Sequence, residues 1–265
     1  MKSKKWDLPA TDYSNTVLSV YDHDTNRKIE SLITKYGGEG KRAVDIGCGT
    51  GNFLPLLTLN FSETVACDYS KAMIRTAKRD HGKLNKVSFE KCNLEHQLPS
   101  GYPFDFGLCV NVIITPKIKK REKIWSNLNQ IISREGHLVM VLPSLESALY
   151  SKNRLVEWNI RSCVSSQKLL IDGFDSSDKN GKQIARGGII DCGGIKTKHY
   201  LKEEIISTAD RFNFRVIDIQ KFNYPWSTEF IDPPEWMKDP YPWDWLITLK
   251  NSSVVTRQRS YNTIK

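Results

Sequence analysis

Three glycines at alternate positions follow an apolar run near the start of the chain and could hold a ligand. The segment Ala43 to Phe53 reads AVDIGCGTGNF, with Gly47, Gly49 and Gly51 directly after the apolar residues. Glycine costs backbone entropy in any regular element, so it recurs where φ must be positive or where another body approaches the main chain. We therefore expect a ligand to lie against this loop.

Two aspartates accompany the glycines at informative positions. Asp45 lies two residues before Gly47, and Asp68 comes 23 positions after Asp45. A carboxylate beside the loop can accept a charge-assisted hydrogen bond from a cationic group. The alternative is that Asp45 caps a turn and Asp68 caps the following helix.

Two phosphate-binding motifs do not fit the loop. A P-loop would continue with Gly-Lys-Ser/Thr, whereas Asn52 and Phe53 follow Gly51 here. A dinucleotide fingerprint, GxGxxG, would place its third glycine one position later than Gly51.

The elements that must position these residues alternate between strand and helix. Helices are predicted over residues 15 to 36, 52 to 59, 70 to 82 and 118 to 133, with Ser70 as N-cap and Gly82 as C-cap of the third. Five strands are predicted, RAVDIG, ETVACDYS, KVSFEKCNL, FDFGLCVNVII and GHLVMVLPS, and later a helix LKEEIISTADRF with strands FRVIDIQKF and DWLITLK. This pattern predicts an α/β protein with a doubly wound, mostly parallel, seven-stranded sheet.

Four of these segments, in this order and spacing, resemble a known family. VDIGCGTG, Asp68, NLEHQLP after the third strand and FDFGLCVNVI at the fourth are similar to class I S-adenosylmethionine-dependent methyltransferases, over about residues 15 to 145. The resemblance implies a Rossmann-like methyltransferase fold, S-adenosylmethionine as cofactor, and methyl transfer by direct in-line displacement. It implies cofactor binding by Asp45, Gly47, Gly49, Gly51, Asp68, Tyr69, Met73, Asn93, Leu94 and Asn111.

The roles carried over from the family follow the chemistry of that cofactor. The glycines let the main chain approach the methionine part, Asp45 takes its ammonium group, and Asp68 takes the ribose hydroxyls. Tyr69 and Met73 offer apolar faces to the adenine. The family commonly has an acidic residue for the adenine amine where this chain has Asn93, whose side-chain oxygen can accept the same bond, and Leu94 would lie along the ring.

The absence of certain motifs reduces the number of possible methyl-acceptor classes. The fourth strand ends VNVIITP rather than in the Asn/Asp-Pro-Pro-aromatic loop of amino-methylating nucleic-acid enzymes, and no Pro-Cys loop for cytosine methylation is present. We therefore expect a small-molecule acceptor, anionic or an amine, methylated on nitrogen, oxygen or a carboxylate. Nucleic acid is not the expected partner. A protein or RNA methyltransferase and a non-catalytic adenosylmethionine-binding protein stay open as alternatives.

Candidate acceptor-side residues come from scattered positions. Asn111 and His199 are the catalytic candidates, with His199 as a general base if one is needed, or else a structural histidine. Tyr21, Tyr200 and Trp226 are the substrate-contact candidates. Trp226 belongs to a dense set that could form a cation-binding cage or simply pack together, comprising Tyr224, Trp226, Glu229, Trp236, Tyr241, Trp243 and Trp245. Cys48 is read as a small loop residue rather than a nucleophile.

The length of 265 residues suits one domain with an insertion. We expect an N-terminal tail over residues 1–14 and a single methyltransferase domain over 15–265. Within it lie a donor-binding half at 15–145, an insertion after the fifth strand acting as a lid at 145–200, C-terminal strands at 201–250 and a tail at 251–265. The insertion's glycines would let it order on ligand binding.

The cysteines, the apolar runs and the net charge predict the cellular compartment of the protein and the partners it would bind. The six cysteines form no CxxC pair, which predicts a reduced, cytoplasmic protein without structural zinc or another metal. No apolar run approaches the roughly 18 residues that span a bilayer, so no membrane partner is expected. The basic N-terminus lacks the apolar stretch of a secretory signal. The net charge of +9 fits an anionic small substrate, a nucleic acid or a soluble surface.

Overall fold

The computed structural model describes residues 19–162, 187–192 and 194–252. Nine strands and six helices within these ranges position the site. The helices are α1 Lys28–Tyr36, α2 Leu54–Asn60, α3 Lys71–His81, α4 Ile118–Ile131, α5 Leu145–Arg161 and α6 Lys202–Arg211. The strands are β1 Gly38–Ile46, β2 Phe61–Asp68, β3 Val87–Lys91, β4 Phe104–Val110, β5 Ile132–Pro143, β6 Ile189–Cys192, β7 Ile195–Lys198, β8 Phe214–Asn223 and β9 Trp243–Asn251.

Seven strands form one sheet in the order β3-β2-β1-β4-β5-β9-β8. The first five are parallel to one another, whereas β9 is antiparallel to both β5 and β8. The strand order reverses beside β1, so the ends of β1 and β4 flank the crevice where ligands of open α/β sheets bind. The predicted seven-stranded, mostly parallel sheet is confirmed.

Alternation along the strands divides the core between the two faces of the sheet. In β1, Ala43 packs into the cluster that contains Ile29 and Ile33 of α1, whereas Val44 packs into the cluster that contains Trp125 of α4. All five are buried. Burying strands on both faces requires such continuous apolar runs, which explains why RAVDIG and FDFGLCV carry so few polar residues.

Several boundaries differ from the sequence prediction for local reasons. The first helix begins at Lys28 instead of residue 15, and residues 15–18 of that prediction lie outside the described residues. The carboxylate of Asp24 accepts the main-chain N–H groups of Lys28, Ile29 and Glu30, which fixes the helix start there. α3 has Ser70 as N-cap, accepting the N–H of Met73, and Gly82 as C-cap, as predicted.

Strand boundaries differ as well, and two of the differences have a visible cause or consequence. β5 begins at Ile132, four residues before the predicted start, because α4 passes into it without a loop. β9 extends to Asn251, which the prediction placed in the C-terminal tail. The buried Asn251 side chain donates to the carbonyls of Asn129 and Ile132 and so belongs to the core.

The region after β5 contains α5 and the hairpin β6–β7. Its central stretch, 163–186, lies outside the described residues, as do Gly193, the predicted tail 1–14 and residues 253–265. An isolated parallel bridge joins Ser144 to Tyr200, so the chain returns to the end of β5 after the hairpin. The hairpin is thereby held near the carboxyl edge of the sheet.

Candidate active site

The glycine loop lies at the carboxyl end of β1 and bends over the end of β2. The N–H groups of Gly47 and Cys48 both donate to the carbonyl of Cys67, at 2.7 and 3.1 Å. Gly47 has a φ of +67°, and a Cβ there would collide with Val112. Gly49 has a φ of +54°, but a Cβ there would meet nothing within 4 Å. The protein itself therefore requires Gly47, whereas the space beside Gly49 is open to a ligand.

The carboxylate of Asp68 links β2 to this loop. Its Oδ2 accepts the N–H of Gly49 at 3.1 Å, and its Oδ1 accepts the N–H of Ser70 at 2.8 Å. Asp45 lies on the neighbouring strand and is only 4% exposed. Burial, and secondarily the negative charge of Asp68, raises the pKa of Asp45 to about 7. Two acidic groups held this close favour a cation or a hydrogen-bond donor beside them.

A cavity of about 430 Å³ opens at this edge of the sheet. Its volume lies within the ordinary range for small-molecule sites. Six predicted cofactor residues line it, Gly47, Asp68, Tyr69, Asn93, Leu94 and Asn111. Asp45, Gly49, Gly51 and Met73 are outside the lining. Gly51 faces Leu54 and His81, and Met73 is buried in α3.

Asn93 and Leu94 follow β3 and form one wall. The Oδ1 atom of Asn93 accepts the N–H of Glu95 at 3.0 Å, which closes a local turn. The carbonyl of Leu94 accepts Nδ2 of Asn127 at 2.5 Å, so α4 holds this segment in place. An amide oxygen has a second lone pair, so Asn93 can still accept a ligand N–H.

Asn111 ends β4 and has a left-handed backbone, with a φ of +54°. Asparagine tolerates this conformation better than most residues. Its side chain lowers the pKa of the buried carboxyl group of Asp244, although burial has the larger, opposite effect on that group. Within the part of the chain that the structure describes, its Oδ1 is buried and has no hydrogen-bond partner.

The opposite wall comes from residues that were not among the individual site residues predicted from the sequence. Lys196 and Thr197 of β7 line the cavity, together with Thr115 and Lys120. Lys120 is paired with Glu95. Lys196 is exposed and forms no ion pair among the described residues. No motif surrounds Lys196 in the sequence, so only the return of the hairpin to the sheet places it here.

The two residues predicted around the start of α6 do not line the cavity. The N–H of His199 donates to the carbonyl of Gly188 at 2.7 Å, and burial lowers the pKa of its imidazole to about 4. Tyr200 is 2% exposed, and its hydroxyl donates to the carbonyl of Ile113. The main chain of His199 and the hydroxyl of Tyr200 therefore hold the chain together beside the cavity.

Tyr21 and Trp226 are also outside the cavity lining. Tyr21 is 41% exposed and contacts Phe53 edge-on. Trp226 is buried, stacks on Phe230, and donates from its indole N–H to the carbonyl of Lys238 at 3.0 Å. The contacts of Trp226 therefore favour packing, the second of the two readings of the aromatic set.

Three other features were considered in the described residues, namely a metal site, a reactive cysteine and a membrane-spanning helix. No group of three or more potential metal ligands occurs among them. Cys48 is half-buried beside Asp45 and Asp68, and desolvation raises the pKa of its thiol, so it is protonated at neutral pH. No helix within the described ranges is long and apolar enough to cross a membrane.

The sheet order, the glycine loop and the two carboxylates at the carboxyl edge define a class I S-adenosylmethionine-dependent methyltransferase. Residues 38–207, more than half of the chain, match the family model described as "Methyltransferase domain", and the chain belongs to this family. It is therefore an enzyme that uses S-adenosylmethionine as its cofactor.

Individual relatives are distant. Juvenile hormone acid O-methyltransferase of Bombyx mori is 24% identical over 106 residues, which span 38% of this chain and 38% of that relative. A DhpI–SAH complex superposes with a TM-score of 0.60 at 13% identity, covering 96% of each chain. The N-methyltransferase NodS of Bradyrhizobium japonicum WM9, in complex with S-adenosyl-l-homocysteine, gives 0.53 at 11% identity, covering 86% and 87%. At these identities the structures show a shared fold.

Proposed function

We propose that this chain transfers a methyl group from S-adenosylmethionine to a small-molecule acceptor bound in the same cavity. The observation that carries the proposal is the composition of the cavity walls. One wall holds the residues predicted to bind the donor, and the other holds Thr115, Lys196 and Thr197, which no donor motif accounts for. A single cavity at the switch point of the sheet can therefore take both partners.

The residues present fit the donor. Open space beside Gly49 leaves room for a ligand at the main chain. Asp45 would take the ammonium group, Asp68 the ribose hydroxyls, and Asn93 and Leu94 the adenine. When bound, S-adenosylmethionine supplies a methyl group attached to a cationic sulfur. The acceptor's lone pair would form the bond to the methyl carbon as the carbon–sulfur bond breaks, and the sulfur would leave as a neutral thioether.

The chain's contribution to the transfer is mainly alignment. Holding two reactants in line can supply a large part of the rate without a strong base. His199, with a pKa of about 4 and a position outside the lining, is a weak base at neutral pH. Asn111, which lines the cavity, is the better candidate for contact with a reacting partner.

A small molecule is the acceptor class that the cavity and the relatives support. The relative from Bombyx mori is named for an acid acceptor, and NodS is named as an N-methyltransferase. An acid would find the ammonium of Lys196 on the far wall, and an amine would find carbonyl and amide oxygens. We include nitrogen, oxygen and carboxylate acceptors in the proposal.

The test combines binding and turnover. Adenosylhomocysteine should bind in calorimetry and raise the melting temperature, because it binds the native state selectively. Incubation with S-adenosylmethionine and a panel of amines, alcohols and carboxylic acids should then release adenosylhomocysteine with at least one panel member. Turnover of RNA or protein substrates with none of the small molecules would overturn the acceptor class. Donor binding without any turnover would overturn the catalytic role.

A further inference from the structure

The aspartate, glutamate and lysine side chains that line the cavity have partners within the described residues, with one exception. Lys120 forms an ion pair with Glu95, and Asp68 accepts two N–H groups of the main chain. Lys196 also lines the cavity, is exposed, and forms no ion pair among the described residues. The cavity therefore has one ammonium group whose charge no neighbouring carboxylate balances.

The hairpin β6–β7 determines on which side Lys196 lies. Side chains alternate along a strand, so Lys196 and Lys198 of β7 share one face. The side chain of Lys198 is buried, and its ammonium donates to the carbonyl of Gly187 at 2.8 Å and to Glu204 at 2.6 Å. That face is therefore the one turned towards the body of the protein. Lys196 lies on it two residues nearer the hairpin turn, where the side chain is exposed beside the cavity.

The wall next to the hairpin combines an apolar side chain with a second hydrogen-bond donor. Ile114 lines the cavity, and its carbonyl accepts the N–H of Lys198 at 2.8 Å, which places it against β7. Thr115 follows and also lines the cavity. Its Oγ1 accepts the N–H of Lys117 at 3.4 Å, so its hydroxyl proton is left to be donated. An ammonium and a hydroxyl beside apolar surface suit an organic anion, of which a carboxylate is the simplest.

One acidic residue of the hairpin acts against anion binding. Asp191 is directly opposite Lys196 in the register of β6 and β7, so the two side chains lie on the same face. The Oδ1 atom of Asp191 accepts the N–H of Gly194 at 2.6 Å. No ion pair joins Asp191 to Lys196 in the described part of the hairpin. The ammonium therefore stays available to a ligand, and the carboxylate of Asp191 only weakens its positive potential.

We propose that Lys196 determines the specificity for the methyl acceptor by binding a carboxylate group of that acceptor. A carboxylate gains a charge-assisted hydrogen bond from the ammonium, a neutral alcohol gains a weaker one, and a protonated amine is repelled. This inference rests on the proposed function, which supplies the acceptor, and it selects acids from the acceptor classes included there.

The test uses three sets of compounds that share a carbon skeleton within each set. They are hexanoic acid with hexanol and hexylamine, benzoic acid with benzyl alcohol and benzylamine, and 2-naphthoic acid with its alcohol and amine counterparts. Their Kd values are measured by NMR titration of the protein saturated with adenosylhomocysteine. At least one acid should bind about tenfold more tightly than its alcohol and its amine, as expected for a charge-assisted hydrogen bond. Lys196→Met should abolish this preference, and Lys196→Arg should retain most of it.

Two further variants separate the charge at this site from the net charge of the protein. Lys123→Met removes an exposed lysine of α4 that lies outside the cavity lining, and it should leave every Kd unchanged. Asp191→Asn keeps an oxygen for the N–H of Gly194 but removes the negative charge opposite Lys196. The acids should then bind about two- to threefold more tightly, since the potential at the ammonium becomes more positive.

The methyl donor also carries a carboxylate, and two ligands separate this source from the acceptor. Adenosylhomocysteine has the carboxylate, whereas 5′-methylthioadenosine lacks the amino acid part. We expect Lys196→Met to leave the Kd of both ligands unchanged. A higher Kd for adenosylhomocysteine alone would assign Lys196 to the donor and overturn the proposal.

The proposal is also overturned if no acid binds more tightly than its alcohol and amine, or if the preference survives in Lys196→Met. Turnover of an alcohol or an amine without any preference for acids would refute this inference and leave the proposed function intact. Binding of acids that depends on Lys196, without turnover of any acceptor, would refute the catalytic role and leave this inference intact.

Discussion

The N–H of Gly49 donates to Oδ2 of Asp68 at 3.1 Å, so the carboxylate that ends β2 also holds the glycine loop. Asp68→Ala removes this bond together with the proposed ribose contacts. Hydrogen bonds to charged groups contribute about 1.5 to 3 kcal/mol each. We expect a total loss of about 2 to 3 kcal/mol, so the Kd of adenosylhomocysteine should rise roughly 30- to 150-fold in calorimetry. Asp80→Ala, on the exposed side of α3, is the control, and wild-type affinity in Asp68→Ala would refute the ribose assignment.

The raised pKa of Asp45 makes donor binding depend on pH. At pH 7 about half of the ligand-free molecules carry a proton on this group, whose pKa is about 7. A cationic ligand group beside it lowers that pKa, so binding should release about half a proton at pH 7 and almost none at pH 9. Affinity should therefore increase from pH 6 to pH 8.

Calorimetry in two buffers with different ionisation enthalpies measures this proton release directly. Asp45→Asn is the matched control, because it cannot release a proton from this position. Equal buffer dependence in the wild type and in Asp45→Asn would assign the released proton to another group.

The same group should make the ligand-free protein less stable at high pH. The folded pKa of about 7 lies above the ordinary value of 3.8, so the folded state holds the proton more tightly than the unfolded state. This contribution is present below pH 4 and is lost as pH rises towards 8, by up to about 4 kcal/mol. Asp45→Asn should raise the free energy of unfolding at pH 8 by about 2 to 4 kcal/mol, measured with urea. An unchanged pH slope in this variant would contradict the prediction.

Gly49 and Gly40 form a matched pair for testing the open space in the loop. Both have positive φ, +54° and +77°, and a Cβ at either would meet nothing within 4 Å. Alanine should therefore cost each variant a similar 1 to 2 kcal/mol of stability from left-handed strain. Only Gly49→Ala should weaken adenosylhomocysteine, by tenfold or more in calorimetry. Equal ligand affinity in the two variants would place the donor elsewhere.

The hairpin β6–β7 should respond to ligands, since Lys196 and Thr197 line the cavity. It is attached by the N–H of Lys198, which donates to the carbonyl of Ile114 at 2.8 Å, and by the ion pair of Lys198 with Glu204. We expect slower amide exchange over 195–198 when adenosylhomocysteine and an acceptor are bound, with α1 unchanged as the internal reference. Exchange that stays the same in the hairpin would contradict the prediction that the insertion acts as a lid.

Six of the residues predicted to bind the donor line one cavity, and their meeting there could be predicted from their places along the chain. Gly47 follows β1 and Asp68 ends β2, and parallel strands bring such ends to one edge. The spacing alone therefore places them together. Asn93 and Asn111 follow by the same rule for the third and fourth strands.

The individual residues of the remaining walls could not be predicted, because their positions depend on the order of strands in the sheet. Asp244 begins a predicted strand, but only the insertion of β9 next to β5 brings it to Asn111. Lys196 reaches the cavity only because the hairpin returns to the end of β5. Tyr200 and Trp226 have the residue types of a binding wall, but their polar atoms bond to main-chain carbonyls instead.

The position of β9 between β5 and β8 also bears on how the protein is made. Ribosomes release β8 before β9, so β8 has no neighbouring strand with which to pair when it emerges. The open side of β5 is an unpaired strand edge during that interval, and such edges bind other chains readily. A nascent chain arrested before Trp243 should already carry the glycine loop on a five-stranded sheet. It should nevertheless need a chaperone until β9 emerges and pairs with both β5 and β8.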